Sequence, residues 1–426
     1  MPARIRALGV VALALCCVLV AIGALALSVP GAPVDDEERG PTDDGLQRLH
    51  AAGVDGDNVT VGVVGVTGFD TDHPAIADQV VESRAFGDGA TVANGGRNRH
   101  GTATAAVVAR TAPDADLRLA AFDDTTGFRR AVTWLVTADV DVIVAPVSFY
   151  GRPGDGTSTV ARLGAWARRQ GVVFVAPTGN LARGHWTGRY DDPDEGRLRF
   201  DDTARNYLAG RGSETRIWLA WDRAHANQTY VAELYRTESG EASLVARSAP
   251  FPSDGVPNAR INARLRGGTY YVVVRGPDNA TGARVRLSSP THRFQRARPD
   301  GSVAAPATGR GVIGVGAYDP AAGRVEPFSS RGPTADGRLG VDVVAPARHE
   351  IRGYDEPLVG SSAATPYVGG LAALAFDAEP GLSPREVELR LERTARDVGP
   401  NGTDPVAGAG LVVPGRAADA PATATG

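Results

Sequence analysis

Short apolar runs rich in valine recur in the first half of the chain and again near its end. Val59–Val64, Leu117–Phe122, Val140–Val147, Val172–Ala176 and Val312–Val315 all read as strands buried on both faces. Helical patterns fall between them. Gly101–Arg110 is rich in alanine, Phe128–Thr137 is amphipathic, and Leu163–Gln170 ends at Gly171, a residue suited to a left-handed C-cap. Strand alternating with helix predicts an α/β domain, a doubly wound and mostly parallel sheet with helices on both faces. Near the C-terminus Ser383-Pro384-Arg385-Glu386 forms a capping box with proline at the first helical position, which opens a helix through about Arg396.

The pattern changes between Gly184 and Arg296, where strand–helix alternation gives way to a period of two. In Thr215–Asp222 the side chains of Ile217, Leu219 and Trp221 share one face, and Tyr270–Val274 and Val285–Leu287 are further strands. Trp186, Trp218 and Trp221 all lie in this stretch. It predicts an inserted antiparallel β-sandwich of roughly 100 residues.

The N-terminus bears on the compartment. Ala7–Val29 carries no charge, follows Arg4 and Arg6, and precedes Asp35, Asp36, Glu37 and Glu38. As a helix it would span about 34 Å, enough for a hydrocarbon core of ~30 Å, with the rest of the chain facing outward. Ala24-Leu25-Ala26 also fits a cleavage site, so a retained anchor and a removed signal both remain open. The two cysteines, Cys16 and Cys17, fall inside this segment, which leaves the remainder without thiol chemistry or disulfides. A nucleophile there must be a hydroxyl. The formal net charge of −4 excludes a basic nucleic-acid groove.

Three segments carry candidate chemistry. Arg99-His100-Gly101-Thr102-Ala103 places a histidine at the start of a helix, a position a simple cap also fits. Phe174–Asn180 delivers an asparagine amide just past a buried strand, where it could donate to a developing oxyanion or merely form a turn. Gly360-Ser361-Ser362-Ala363-Ala364-Thr365-Pro366 opens a helix of small residues with serine, which is also a common capping residue. Taken together, these segments resemble the subtilisin-like serine peptidases, the subtilases. Phe328–Thr334 and Asp342-Val343-Val344-Ala345-Pro346 are similar to that family's stretch ahead of its nucleophile, and Val144–Gly151 to its substrate-lining strand. The resemblance covers about Asp57–Arg183 and Ala297–Ala418. It implies Ser362 as nucleophile, His100 as general base and Asn180 as oxyanion donor, with Ser148, Phe149 and Gly151 lining the substrate.

One part of the family's pattern is missing. Its first strand ends in an aspartate, but here the candidate positions are Gly65, counting from the strand, or Val66, counting from the following turn. Asp70 and Asp72 lie further along and are weaker substitutes. The expected organisation is a signal or transmembrane anchor (1–30), a linker (31–57), a peptidase domain in two parts (58–183 and 297–418) around the insert (184–296), and a tail (419–426). The expected function is an exported or membrane-anchored serine endopeptidase acting on polypeptides and weakened by the absent acid. A peptide-binding protein without turnover is the alternative. No cofactor is required on this reading, although Asp191-Asp192-Pro193-Asp194-Glu195 is a candidate for structural calcium.

Overall fold

The computed structural model describes residues 41–94, 98–251 and 254–419. The first half of the α/β layer runs α1 (Pro41–Ala51), β1 (Thr60–Gly65), β2 (Val80–Phe86), α2 (His100–Thr111), β3 (Asp116–Phe122), α3 (Thr125–Thr137), β4 (Val142–Val144), α4 (Thr159–Arg169) and β5 (Val173–Pro177). After the insert come β6 (Ile313–Asp319), β7 (Arg324–Val325), β8 (Val343–Pro346), α5 (Ser361–Ala378), α6 (Pro384–Thr394) and α7 (Pro414–Asp419). The strands form one sheet in the order β7-β6-β5-β4-β1-β3-β2, with β8 also paired to β6. Every pairing is parallel except β6 with β7.

The valine runs form β1, β3, β4 and β5 because helices cover both sides of the sheet. Val61 and Val63 face α2 and α5, while Val64 and Ile143 face α3 and α4. From β1 the chain goes to the edge strand β2 and returns to β3 beside β1, then crosses to β4 and β5 on the other side. That reversal opens a crevice at the C-terminal edge of the strands. The run Val140–Val147 yields only three residues of strand. The chain leaves the sheet at Ala145, where the Val147 N–H turns back to the Ala145 carbonyl at 2.7 Å.

The insert is a sandwich of two five-stranded antiparallel sheets. One contains His185–Arg189, Glu214–Trp221, Asn258–Arg264 and Arg284–Ser288; the other contains Val231–Glu238 and Thr269–Arg275. Ile217, Leu219 and Trp221 point into the core between them, as their spacing predicts, together with Trp186. Trp218 points the other way. The insert's two ends meet: Phe294 N–H donates to the Arg183 carbonyl at 2.8 Å and Arg298 N–H to the His185 carbonyl at 2.7 Å.

One stretch expected outside the folded domain belongs to its core. Residues 41–51, expected in the linker, form α1, whose Leu46 and Leu49 are buried. Helix α1 packs on α7, and Ala417 is buried near the end of that helix. The expected hydrophobic helix at 7–29 lies outside the described residues. Among the described residues no helix is long and apolar enough to cross a membrane.

Candidate active site

Helices α2 and α5 bring the two candidate reacting side chains together. Their contact is close because Gly370 of α5 leaves no room for a Cβ, which would stand 2.5 Å from the Thr111 side chain of α2. Gly369 does the same against Val144 of β4, at 2.2 Å. With α5 seated on α2 and β4, its N-terminus lies beside the start of α2. The Ser362 Oγ is 3.1 Å from the His100 Nε2, within reach for a neutral imidazole to accept the hydroxyl proton.

Asn180 stands just beyond β5. Its Oδ1 accepts from the Ser361 N–H at 3.0 Å and from the Ser361 hydroxyl at 2.9 Å. Those two donors turn the amide NH2 toward Gly360, where an added Cβ would lie 2.9 Å from the Asn180 Nδ2 and 3.6 Å from the Ser362 Oγ. Gly360 has φ +129°, a conformation that suits glycine, and it starts α5 so that the Ser362 N–H falls in the first turn without an acceptor earlier in the helix. A side-chain amide and a helix N-terminus thus flank Ser362, a suitable pair of donors for an oxyanion. Ser361 was not singled out in the sequence. The signal was a second hydroxyl directly before the candidate nucleophile.

The three expected substrate-lining residues have different fates. Ser148 is partly exposed, and its Oγ lies 3.8 Å from where a Cβ on Gly179, the neighbour of Asn180, would stand. The Phe149 side chain turns inward: its ring is buried against Phe122 and Phe128, and its N–H donates to the Ala305 carbonyl at 2.7 Å. Gly151 is covered by the insert, and a Cβ there would come within 2.6 Å of the Trp218 ring. Trp218 in turn meets Phe251 edge-on, and Arg260 lies over both rings.

The family model described as the Subtilase family matches residues 251–410, a span that includes Ser362. Two solved structures resemble nearly the whole chain. The CspB protease of Clostridium perfringens is 17% identical, with a TM-score of 0.64 over 89% of this chain and 97% of that one. A lanthipeptide protease is 16% identical, with a TM-score of 0.51 over 88% and 92%. Over residues 251–410 the chain is thus similar to the subtilase family, and over nearly its whole length it shares the fold of these proteases.

The end of β1 departs from the pattern that the resemblance implies. Gly65 is on the face of the sheet that carries α2 and α5, where a Cβ would lie 2.9 Å from the Phe69 Cζ; Phe69 belongs to that same core layer. Val66 packs on the opposite layer, with α3 and α4. Of the two candidates, position 65 is the one on the face that carries α2, and the Phe69 ring lies against it. Asp70 and Asp72 do not take over. The Asp70 N–H donates to Thr102 Oγ1 at 2.9 Å, Asp72 is exposed, and among the described residues neither carboxylate bonds to His100. Burial alone pushes the His100 imidazole down to about 4. It is neutral at pH 7 and ready to accept a proton, but its charged form is disfavoured by about 3 kcal/mol relative to a solvated histidine.

Acidic groups elsewhere bear on cation binding. In the loop expected to bind calcium, Asp192 and Glu195 pair with Arg199 and Arg197. The carboxylates that converge among the described residues are those of Asp342, Glu388 and Glu392, with oxygens within 4.8 Å of one another. Arg168 and Arg385 already supply countercharge to Glu388, at 2.8 and 3.0 Å.

Proposed function

We propose that the chain is a serine endopeptidase whose rate is limited by the missing acid. The observation that carries this reading is the 3.1 Å approach of Ser362 Oγ to His100 Nε2, with Asn180 beside it. In the forward step Ser362 attacks the carbonyl carbon of a peptide bond while His100 takes the hydroxyl proton. Asn180 Nδ2 and the Ser362 N–H receive the oxyanion. His100 then returns the proton to the leaving amine, leaving an acyl group on Ser362 that water removes by the same route. The chemistry needs no cofactor, and a bound calcium ion would be structural.

The partner on this reading is a polypeptide, with no nucleic acid. The charge-free stretch 7–29 supports export, either as a membrane anchor with the domain outside or as a removed signal. A second reading, a pseudopeptidase that binds extended peptides without turnover, is favoured by the Phe69 ring against Gly65 and by the lack of a counterion for His100 among the described residues. The two separate on one comparison, hydrolysis of a quenched-fluorescence peptide mixture by wild type and by Ser362→Ala. The endopeptidase reading expects turnover that the substitution abolishes. Binding by both proteins with turnover by neither supports the pseudopeptidase.

A further inference from the structure

We propose that Thr67 is a positioning residue for His100, applying through the helix backbone part of the restraint that a triad acid would apply to the ring. The inference rests on the peptidase reading and adds a residue to it. Helix α2 begins at His100 itself, and its N-cap residue, Arg99, makes no side-chain cap. The first-turn N–H groups of a helix need outside acceptors. Here the His100 N–H finds Asn98 Oδ1 at 3.1 Å, and the Gly101 N–H finds Thr67 Oγ1 at 3.0 Å. Thr67 thus caps α2 from a different element, the turn that leaves β1 between Gly65 and Phe69.

Two further contacts make the turn and the helix start a single unit. The Asp70 N–H donates to Thr102 Oγ1 at 2.9 Å, which laces the turn to α2 in the reverse direction. A Cβ on Gly101 would stand 2.1 Å from the Gly68 carbonyl oxygen, so the helix backbone rests directly on the turn. The Thr67 hydroxyl also lies 3.4 Å from the Gly68 carbonyl oxygen, a long contact that takes its proton and leaves a lone pair for Gly101. His100 is one residue from that bond, and among the described residues its buried ring makes no hydrogen bond other than that to Ser362. Loss of the Thr67 acceptor would free the backbone that sets the 3.1 Å separation.

Valine matches threonine in shape but lacks the acceptor, whereas serine keeps it. The test follows labelling of Ser362 by a fluorophosphonate in the full chain, resolved into a maximal rate and a half-saturating concentration. Thr67→Val should lower the maximal rate roughly 10- to 100-fold, the scale of a misplacement near 1 Å, with half-saturation unchanged. Thr67→Ser should stay within about threefold of wild type. Wild-type labelling by Thr67→Val, or equal slowing in both variants, overturns the proposal. Amide hydrogen exchange across residues 98–104 gives a readout independent of activity. Faster exchange at Gly101 in Thr67→Val but not in Thr67→Ser is expected, and unchanged exchange also overturns it. Failure of wild type to label at all would count against the peptidase reading, and the exchange comparison would then decide the role of Thr67.

Discussion

Restoring the missing acid tests the account of β1 and of the weakened base together. Position 65 lies on the face that carries α2, but Gly65→Asp alone drives its Cβ to 2.9 Å from the Phe69 ring, which has no exposed surface and little freedom to move. The perturbation is therefore Gly65→Asp combined with Phe69→Val, with Phe69→Val alone as reference. Burial lowers His100 from 6.5 to about 4, a handicap to the imidazolium of about 3 kcal/mol. A carboxylate facing the ring would recover a large part of it. At ~1.4 kcal/mol per factor of ten, kcat/KM on a peptide substrate should rise between about tenfold and a few hundredfold over the reference. An opposite charge also raises the histidine, so the acid limb of the pH–rate profile should move up from about 4. Val66→Asp faces the other layer and should destabilise the fold without a gain. A folded double variant with unchanged kcat/KM and an unmoved limb, or a gain from Val66→Asp instead, would refute the reasoning.

Other predictions follow from the same contacts. Asn180→Ala should lower kcat about 10²- to 10³-fold with KM nearly unchanged, and an unaltered kcat would remove Asn180 from the oxyanion site. Trp218→Ala empties the contact between the insert and Gly151 and should cost about 3–5 kcal/mol in a urea titration if insert and peptidase domain unfold together; a separate, unshifted second transition would show that they do not. Burial holds His100 and His185 near 4, and burial beside Arg110 holds His349 near 3, so from pH 6.5 down to about 4 the unfolded chain takes up protons that the native chain refuses. Stability should fall through that window. Burial also lowers His292, which adds to the loss, and raises Asp342 to about 7 and Asp141, Glu326 and Glu392 above their usual values, which opposes it. The histidines should dominate, and a urea midpoint that is flat or rises between pH 7 and 4.5 would contradict this.

The strands were legible where both faces are covered, because burial on both sides demands unbroken apolar runs such as those of β1 and β3. Strand β2 was missed because it is an edge strand, and its sequence Val80-Val81-Glu82-Ser83-Arg84-Ala85-Phe86 mixes exposed and half-buried positions without a clear apolar face. Helix α1 was hidden in an expected linker, since its two buried leucines matter only once α7 returns from the far end of the chain. His100, Asn180 and Ser362 stood out through their motifs. The choice between Gly65 and Val66 did not, because it depends on which face of the sheet each residue occupies after β1 ends. Phe149 and Gly151 fall in the expected segment, but their coverage by Phe128 and Trp218 comes from elements distant in sequence.

The central claim is that Ser362 and His100 form a working nucleophile and base without an acid. Mass spectrometry of the protein after exposure to a fluorophosphonate tests it most directly. The account predicts a single adduct on the peptide bearing Ser362, slow to form in wild type, slower still in His100→Ala and absent in Ser362→Ala. No adduct in folded wild type at pH 8, or one that forms equally fast without His100, would contradict it.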